Sequence, residues 1–162
     1  MIYAKKIIAL LFLSIPIGIF AQEYSYQKSY HQEGVLASEG WVQNSVKEKY
    51  WKYYYPSGVL KQEGHYKSGK KEDFWYYYNE NGDKIRQGHY NAGKKTGWWI
   101  VYKNNLMVKK CQYQDDMLNG YSIQYRNKKP VLCRKFKNDS LVGEWDSMES
   151  FKKENSLKDL RE

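Results

Sequence analysis

The sequence repeats itself at a regular interval, and this repetition constrains the fold more than any other feature. Trp51, Trp75 and Trp99 are evenly spaced along the chain. The positions that recur between them are Gly58 and Gly82, Gly64-His65-Tyr66 and Gly88-His89-Tyr90, and Gly69-Lys70-Lys71 and Gly93-Lys94-Lys95. Self-similarity with a period of about 20–50 residues is typical of repeat architectures, in which each unit packs on its neighbours. Weaker copies, at the same or a slightly shorter spacing, extend the pattern from Tyr26 to about Phe151.

Each unit reads as two short strands joined by turns. An aromatic strand over Phe74–Tyr78 ends at Asn79-Glu80-Asn81-Gly82, where Asn and Gly tolerate the left-handed backbone of a tight turn. A second strand over Ile85–Tyr90 ends at Ala92-Gly93, another turn signal. Short strands without a helical period between them favour an all-β chain, and short turns make neighbouring strands antiparallel. We therefore predict a single-sheet antiparallel β-meander of about five 23–24-residue hairpin repeats, elongated and twisted, with about ten strands.

Residues 1–21 have the pattern of a secretory signal peptide. Lys5 and Lys6 form a basic region, an apolar run follows over Ile7–Ile19, and a small residue precedes the predicted cleavage site at Ala21/Gln22. The run is shorter than the ~20 residues of a membrane-spanning helix. We expect the mature protein to be exported, to the periplasm or the extracellular space.

The chain divides into a signal peptide (1–21), a repeat domain (22–151) and a polar C-terminal tail (152–162). The repeat pattern fades after Trp145, and we expect the residues up to Phe151 to complete a final strand. The tail is almost wholly charged and polar. It fits either a frayed end or a short capping helix.

The chain is basic, with a formal net charge of +9 that loss of Lys5 and Lys6 would lower by two, to +7. This charge favours an acidic partner, which is an envelope or secreted protein, an anionic lipid surface or an anionic glycan. No nucleic-acid partner is expected for an exported protein.

Two lysine pairs recur at equivalent turns. Lys70-Lys71 and Lys94-Lys95 are therefore predicted to line one edge of the sheet. Such a row attracts anionic lipid or glycan. Lysines at such positions also keep a protein soluble and protect sheet edges from aggregation, so both explanations stand.

The middle units are aromatic on both sides of the sheet. Side chains alternate along a strand, so Trp75 and Tyr77 share one face while Tyr76 and Tyr78 share the other. Stacked rings can bury the surface of a sheet that lacks a helical layer. Alternatively, one aromatic face binds a partner. The candidate binding residues are Tyr53, Trp75, Tyr77 and Trp99, with Lys70, Lys71, Lys94 and Lys95.

One segment carries a family resemblance. Gly97-Trp98-Trp99-Ile100-Val101-Tyr102, preceded by Gly93-Lys94-Lys95-Thr96-Gly97, resembles the MORN-variant repeat of bacterial proteins. The resemblance implies a twisted sheet of successive hairpins that serves as a scaffold or a lipid- or protein-contact surface. One branch of such proteins is labelled as antitoxins, which fits poorly with export if the toxin is cytoplasmic. Asp73 and Lys49 depart from the motif, since they replace the Gly before the Trp strand.

The cysteines and the recurring histidines give no reactive site. Cys111 and Cys133 fall on opposite faces, and the strand Tyr121–Arg126 separates them by ~10 Å, beyond the ~7 Å that a disulfide allows. We predict buried free thiols. His65 and His89 lie two strand spacings apart, too far for both to ligate one metal ion, and are predicted to be surface residues.

The acidic residues fall mostly in turns, and the sequence contains no nucleophile elbow, phosphate loop or metal-binding spacing. We expect neither enzyme activity nor a cofactor or metal. The sequence favours an exported protein–protein interaction or scaffold module of the cell envelope. Binding of anionic lipid or glycan through the basic turns, and an antitoxin or immunity role, are the alternatives.

Overall fold

The computed structural model describes residues 23–160. The predicted signal peptide and its cleavage site lie outside the described residues. Within them, eleven antiparallel strands form one sheet whose spatial order is the order of the sequence. The strands are β1 (Tyr24–Tyr30), β2 (Leu36–Gln43), β3 (Val46–Tyr54), β4 (Leu60–Lys67), β5 (Lys70–Tyr78), β6 (Lys84–Asn91), β7 (Lys94–Lys103), β8 (Leu106–Gln114), β9 (Met117–Arg126), β10 (Lys129–Lys137) and β11 (Ser140–Trp145). The predicted all-β, single-sheet meander is confirmed.

Two kinds of turn alternate in the first units. Between β3 and β4, the Gly58 N–H donates to the Tyr55 carbonyl and the Tyr55 N–H donates to the Val59 carbonyl, both over 2.8 Å. Gly58 has a φ of 82°, as the turn requires. Between β4 and β5 the turn is only Ser68-Gly69, with φ positive at both residues, which is the geometry of a type I′ hairpin. From β7 onward every connection within the sheet is of this two-residue kind, and the repeat period becomes one residue shorter.

A β-bulge lies beside each recurring Trp, and the indole of that Trp forms a hydrogen bond to the neighbouring strand. Gly64 pairs with Trp75 whereas the next residue, His65, pairs with Glu72, so β5 has two extra residues there. One of them, Asp73, has a φ of 56°. The bulge interrupts the ladder, and the indole N–H of Trp75 donates to the His65 carbonyl over 3.0 Å. Lys49 and Gly97 have left-handed backbone at the equivalent positions, so the two departures from the motif do not change the local structure.

The indole ring of each such Trp lies directly on a glycine of the preceding strand. A Cβ atom added to Gly64 would lie 2.5 Å from the ring of Trp75. The same construction at Gly40 and Gly88 meets the next Trp ring at 2.3 Å. Only glycine leaves room for the ring, which explains why a Gly and a Trp recur together.

The C-terminal segment caps the last strands. After β11, α1 (Met148–Glu154) begins at a capping box formed by Ser147 and Ser150, and a short 3-10 helix follows over Leu157–Leu160. Phe151 is fully buried, and its ring contacts Trp145 edge-on at 5.3 Å. The expectation that a final strand continues to Phe151 was wrong, because the capping box starts a helix at that point. The predicted boundary between residues 151 and 152 falls inside α1.

The two faces of the sheet are covered differently. Trp99 pairs with Cys111 and Cys111 with Ser122, so these three residues share the face that also carries Trp51 and Trp75, which we call the Trp face. Ile123 points to the opposite face, where it packs with Phe151 of α1. The described chain contains no helix long and apolar enough to span a lipid bilayer.

Candidate binding face

The indole rings of the Trp face are buried although α1 packs only on the other side of the sheet. Trp75 has no exposed surface, and Trp51 and Trp99 are 4% exposed. The Trp75 ring contacts Tyr66 at 5.1 Å and Tyr90 at 6.2 Å, in both cases edge-on. Edge-to-face packing of this kind is a favourable arrangement of aromatic rings. The rings of successive units therefore bury one another and form a core that needs no second layer.

Amino and hydroxyl groups close the surface above these rings. The ammonium group of Lys71 donates to the Tyr77 hydroxyl over 3.0 Å and to Oε1 of Gln62 over 3.1 Å. The Tyr77 hydroxyl lies 2.8 Å from the Tyr90 hydroxyl. The preceding unit repeats this pattern with Lys47, Tyr53 and Tyr66, over 2.6 and 3.0 Å.

Four cations lie over aromatic rings of the Trp face, within the ~6 Å at which a ring attracts a cation. Their distances to the ring centroids are 4.5 Å for Lys47 over Trp51, 3.8 Å for Lys71 over Trp75, 5.4 Å for Lys95 over Trp99 and 4.1 Å for the Arg86 guanidinium over Tyr77.

These four cations have no carboxylate partner within residues 23–160. In that part of the chain, the ion pairs within 4.0 Å involve Lys28, Lys94 and Arg134 instead. The three lysines over the Trp rings are half-buried, so they have lost part of their hydration without gaining an opposite charge. Arg86 is exposed and adds its charge to theirs. The Trp face therefore carries uncompensated positive charge.

Burial is the main cause of the pKa shifts on this face. Burial, followed by repulsion from Arg86 and Lys47, lowers the pKa of Lys71 to about 8. Burial likewise lowers the pKa of Lys47. In Tyr77, burial and the hydrogen bond to Tyr90 raise the pKa well above its ordinary value. A bound anion would restore the pKa of Lys71 toward its usual range, because an opposite charge favours the protonated form.

Carboxylates lie on the opposite face of the sheet. Glu39 accepts a hydrogen bond from the Tyr54 hydroxyl over 2.7 Å, and Glu63 accepts one from the Tyr78 hydroxyl over the same distance. The bond from Tyr54 is the main reason that the pKa of Glu39 is lowered. Cations lie on that face as well, and Lys28 is 3.7 Å from Glu39, so positive and negative charges are mixed there.

The structure brings together some, but not all, of the predicted binding residues. Tyr53, Trp75, Tyr77 and Trp99 share the Trp face, but Trp75, Tyr77 and Trp99 are buried there. Of the lysine pairs, Lys71 and Lys95 join that face, whereas Lys70 and Lys94 are exposed and Lys94 lies 3.7 Å from Asp115. The pairs belong to the first residues of β5 and β7 rather than to the turns. The binding role of all eight residues stays a prediction.

Sequence reasoning missed Lys47 and Arg86. Lys47 precedes Lys71 by one repeat period, so the repeat register contained the signal. The turn before it is Asn44-Ser45, which lacks the Gly that marked the other lysine pairs. Arg86 has no such signal, because the equivalent position one unit earlier is Gln62.

No protein-family model and no curated protein matches this sequence. The MORN-variant resemblance therefore rests on the repeat motif alone and remains a prediction.

Four acidic residues, two in turns and two near the start of β3 and β5, stabilise the connections between units. Each accepts a hydrogen bond from a backbone N–H of a neighbouring unit over 2.7–2.9 Å. The pairs are Glu48 with Ser68, Glu72 with Ala92, Asp116 with Lys95, and Asp139 with Leu118. These carboxylates have a structural partner and do not converge on a cavity.

The cysteines and histidines are placed as structural residues. Cys111 and Cys133 are buried free thiols, as predicted, and β9 lies between their strands. Burial raises the pKa of Cys133 to about 11. The backbone carbonyls of His65 and His89 accept hydrogen bonds from the indoles of Trp75 and Trp99. Within residues 23–160, no cluster of His, Cys, Asp and Glu side chains could hold a metal ion.

Proposed function

We propose that this chain is an exported, non-catalytic binding module whose Trp face holds an acidic segment of a partner protein in the cell envelope. The observation that carries the proposal is the row of half-buried lysines over the Trp rings, which have no carboxylate partner among the described residues. An acidic segment would supply the missing opposite charge. Export rests on the signal-peptide pattern of residues 1–21.

The spacing of the cations favours an elongated ligand. Lys47, Lys71 and Lys95 occupy equivalent positions on β3, β5 and β7, two strands apart. Strands lie ~4.8 Å apart, so successive ammonium groups recur at ~10 Å along the sheet. A polypeptide that crosses the strands can place a carboxylate near each of them.

The side chains exposed on the Trp face also favour a protein as the binding partner. Tyr and Arg are enriched in the cores of protein interfaces. Here the Tyr hydroxyls of two units and the Arg86 guanidinium surround the ammonium groups and offer hydrogen bonds as well as charge. An anionic lipid surface needs only charge, so lipid binding is the second candidate and the lysines near the turns are the observation that favours it.

The proposal can be tested with a defined acidic probe. A fluorescent peptide of about 20 Glu residues is titrated with the purified protein, at about 0.05 M and about 0.5 M salt, and its anisotropy is recorded. We expect binding that weakens at high salt, where the Debye length is shorter. The double variant Lys47→Gln with Lys71→Gln should weaken binding about tenfold.

A matched control removes charge elsewhere. Lys52 lies between Trp51 and Tyr53 in the sequence, so its side chain points to the face opposite the Trp face. Lys52→Gln therefore changes the net charge without changing the lysines over the Trp rings. Weakening by Lys52→Gln that equals the effect of Lys71→Gln alone would show that binding is diffuse and would overturn the proposal. Binding of anionic vesicles but not of the peptide would favour the lipid alternative. Circular dichroism confirms that each variant is folded.

A further inference from the structure

The two ends of the sheet are finished differently. At the C-terminal end, β11 has only six residues and α1 packs on β10 and β11. At the N-terminal end, β1 has seven residues, all exposed, and pairs only with β2. Repeat proteins commonly protect both ends with capping elements. Within the described residues, only the C-terminal end has one.

The outer side of β1 is an open template for another strand. Within residues 23–160 β1 pairs on one side only, so half of its backbone N–H and C=O groups point away from the described sheet. Natural edge strands are usually shortened, bulged, or protected by Pro and several charges. β1 contains no Pro, a single Lys28, and a register shift only at its last residues, Ser29 and Tyr30.

The sequence of β1 is nearly the same when read in either direction. Around Gln27 it runs Tyr24-Ser25-Tyr26-Gln27-Lys28-Ser29-Tyr30. An antiparallel pair formed by two copies and centred on Gln27 places Tyr24 opposite Tyr30 of the second copy. It also places each Ser25 opposite a Ser29, and each Tyr26 opposite a Lys28. Aromatic pairs, hydroxyl pairs and a cation beside a ring are favourable cross-strand neighbours.

In this arrangement the Trp faces of the two copies lie on the same side of the joined sheet. Gln27 pairs with Gly40, which pairs with Trp51, so Gln27 lies on the Trp face. The Tyr side chains of β1 point to the opposite face, where Tyr26 contacts Trp41 at 5.1 Å. Directly opposed residues of antiparallel strands share a face, so both Trp faces lie on the same side.

The residue at the centre of β1 differs from the residue at the same position of the later units, and the difference suits pairing with a second copy. Gln27 precedes Trp51 by one period, so it occupies the Trp position of its unit. In the later units, the Trp at this position covers a glycine of the strand before it. β1 has no preceding strand among the described residues, and a Gln there can form an amide–amide pair with its symmetric copy.

From these observations we infer that β1 is a self-association edge, and that two copies pair antiparallel through β1 about Gln27 to form one continuous sheet. The partner is a second copy of this chain because the near-symmetric sequence makes the edge complementary to itself, as a two-fold interface requires. This inference does not depend on the ligand of the Trp face.

Charge swapping at the symmetry centre tests the inference. The monomer of the full chain has a mass of 19.4 kDa. Sedimentation of the purified protein over a range of concentrations should show a dimer, with twice the mass of its monomer. Gln27→Lys and Gln27→Glu each place two like charges directly opposite each other. We expect each variant alone to be monomeric, and a one-to-one mixture to restore the dimer, because opposite charges then meet.

A control variant places the same charge at the other edge. Val142 on β11 is 56% exposed, so Val142→Lys should fold and leave the dimer intact. The inference is overturned by a wild-type protein that stays monomeric at about millimolar concentration, by single-charge variants that still dimerise, or by a mixture that fails to reassociate. Loss of the dimer in Val142→Lys would instead place the interface at β11, which also refutes it.

Discussion

The contact between Gly64 and the Trp75 ring makes a quantitative prediction. Gly64→Ala introduces a Cβ that would lie 2.5 Å from the nearest ring atoms, so the indole must move. Overpacking of this kind costs about 1–3 kcal/mol, and loss of the 3.0 Å bond from the indole N–H to the His65 carbonyl adds about 1 kcal/mol. Ala restricts the unfolded chain more than Gly does, which offsets about 0.4–1 kcal/mol. The net loss in the free energy of unfolding should be about 2 kcal/mol.

Urea denaturation of a double-mutant cycle separates this contact from general effects of the substitution. In a Trp75→Ala background the ring is absent, so Gly64→Ala should be neutral or slightly stabilising. Gly34→Ala measures backbone strain without a steric clash, since Gly34 has a φ of 77° and its added Cβ meets no atom within 4 Å, whereas Gly64 is not among the glycines with positive φ. Equal effects of Gly64→Ala in both backgrounds would refute the reasoning.

Two further predictions concern pH and the C-terminal cap. Between pH 8 and pH 10 the free energy of unfolding should rise slightly, because the pKa of Lys71 is lowered to about 8 and the unfolded state binds more protons in that window. Above pH 10 the free energy of unfolding should fall, by about 1.4 kcal/mol per pH unit for Tyr77 alone, since the raised pKa keeps this residue protonated only in the folded state. Urea titrations at each pH measure the rise and the fall. A free energy of unfolding that stays constant from pH 8 to 11 would contradict both predictions. Phe151→Ala should cost about 3–5 kcal/mol, because the side chain is fully buried against Trp145; an effect below about 1 kcal/mol in the same assay would show that α1 is not part of the core.

The sequence was sufficient for the sheet because its signals are local. Every hairpin is made by neighbouring segments, so the positions of Gly58 and of Ser68-Gly69 already determine which strands pair. The type I′ turns follow from residues that tolerate a positive φ. The strand order could therefore be predicted without any long-range information.

The C-terminal cap was less predictable for the opposite reason. Phe151 and Leu160 are the buried apolar side chains in a segment whose other apolar residues are only Met148 and Leu157, and a pattern so sparse shows no helical period. Ser147 and Ser150 do form a capping box, but with Ser in place of the usual Glu or Gln. Their role becomes clear only when Trp145 and Tyr121 are seen to need a cover.

The candidate site was predicted in part. Periodicity placed the aromatic residues on one face, but it could not show that Tyr66 and Tyr90 enclose the ring of Trp75. It also could not show that Lys71 reaches over that ring, since the path of a long side chain depends on its neighbours in three dimensions. The proposed binding surface therefore consists of the cations above the rings rather than of the rings themselves.

The placement of each Trp over a glycine of the preceding strand gives the molecule a direction of growth. A unit is completed by its successor, which supplies an indole ring for its glycine and a hydrogen-bond donor for the backbone carbonyl next to that glycine. Insertion or deletion of one whole period keeps every such pair in phase, whereas a change of half a period leaves a glycine uncovered and a Trp without its site. The number of strands can thus change only in steps of one whole repeat, and the length of the Trp face changes by two strands with each step.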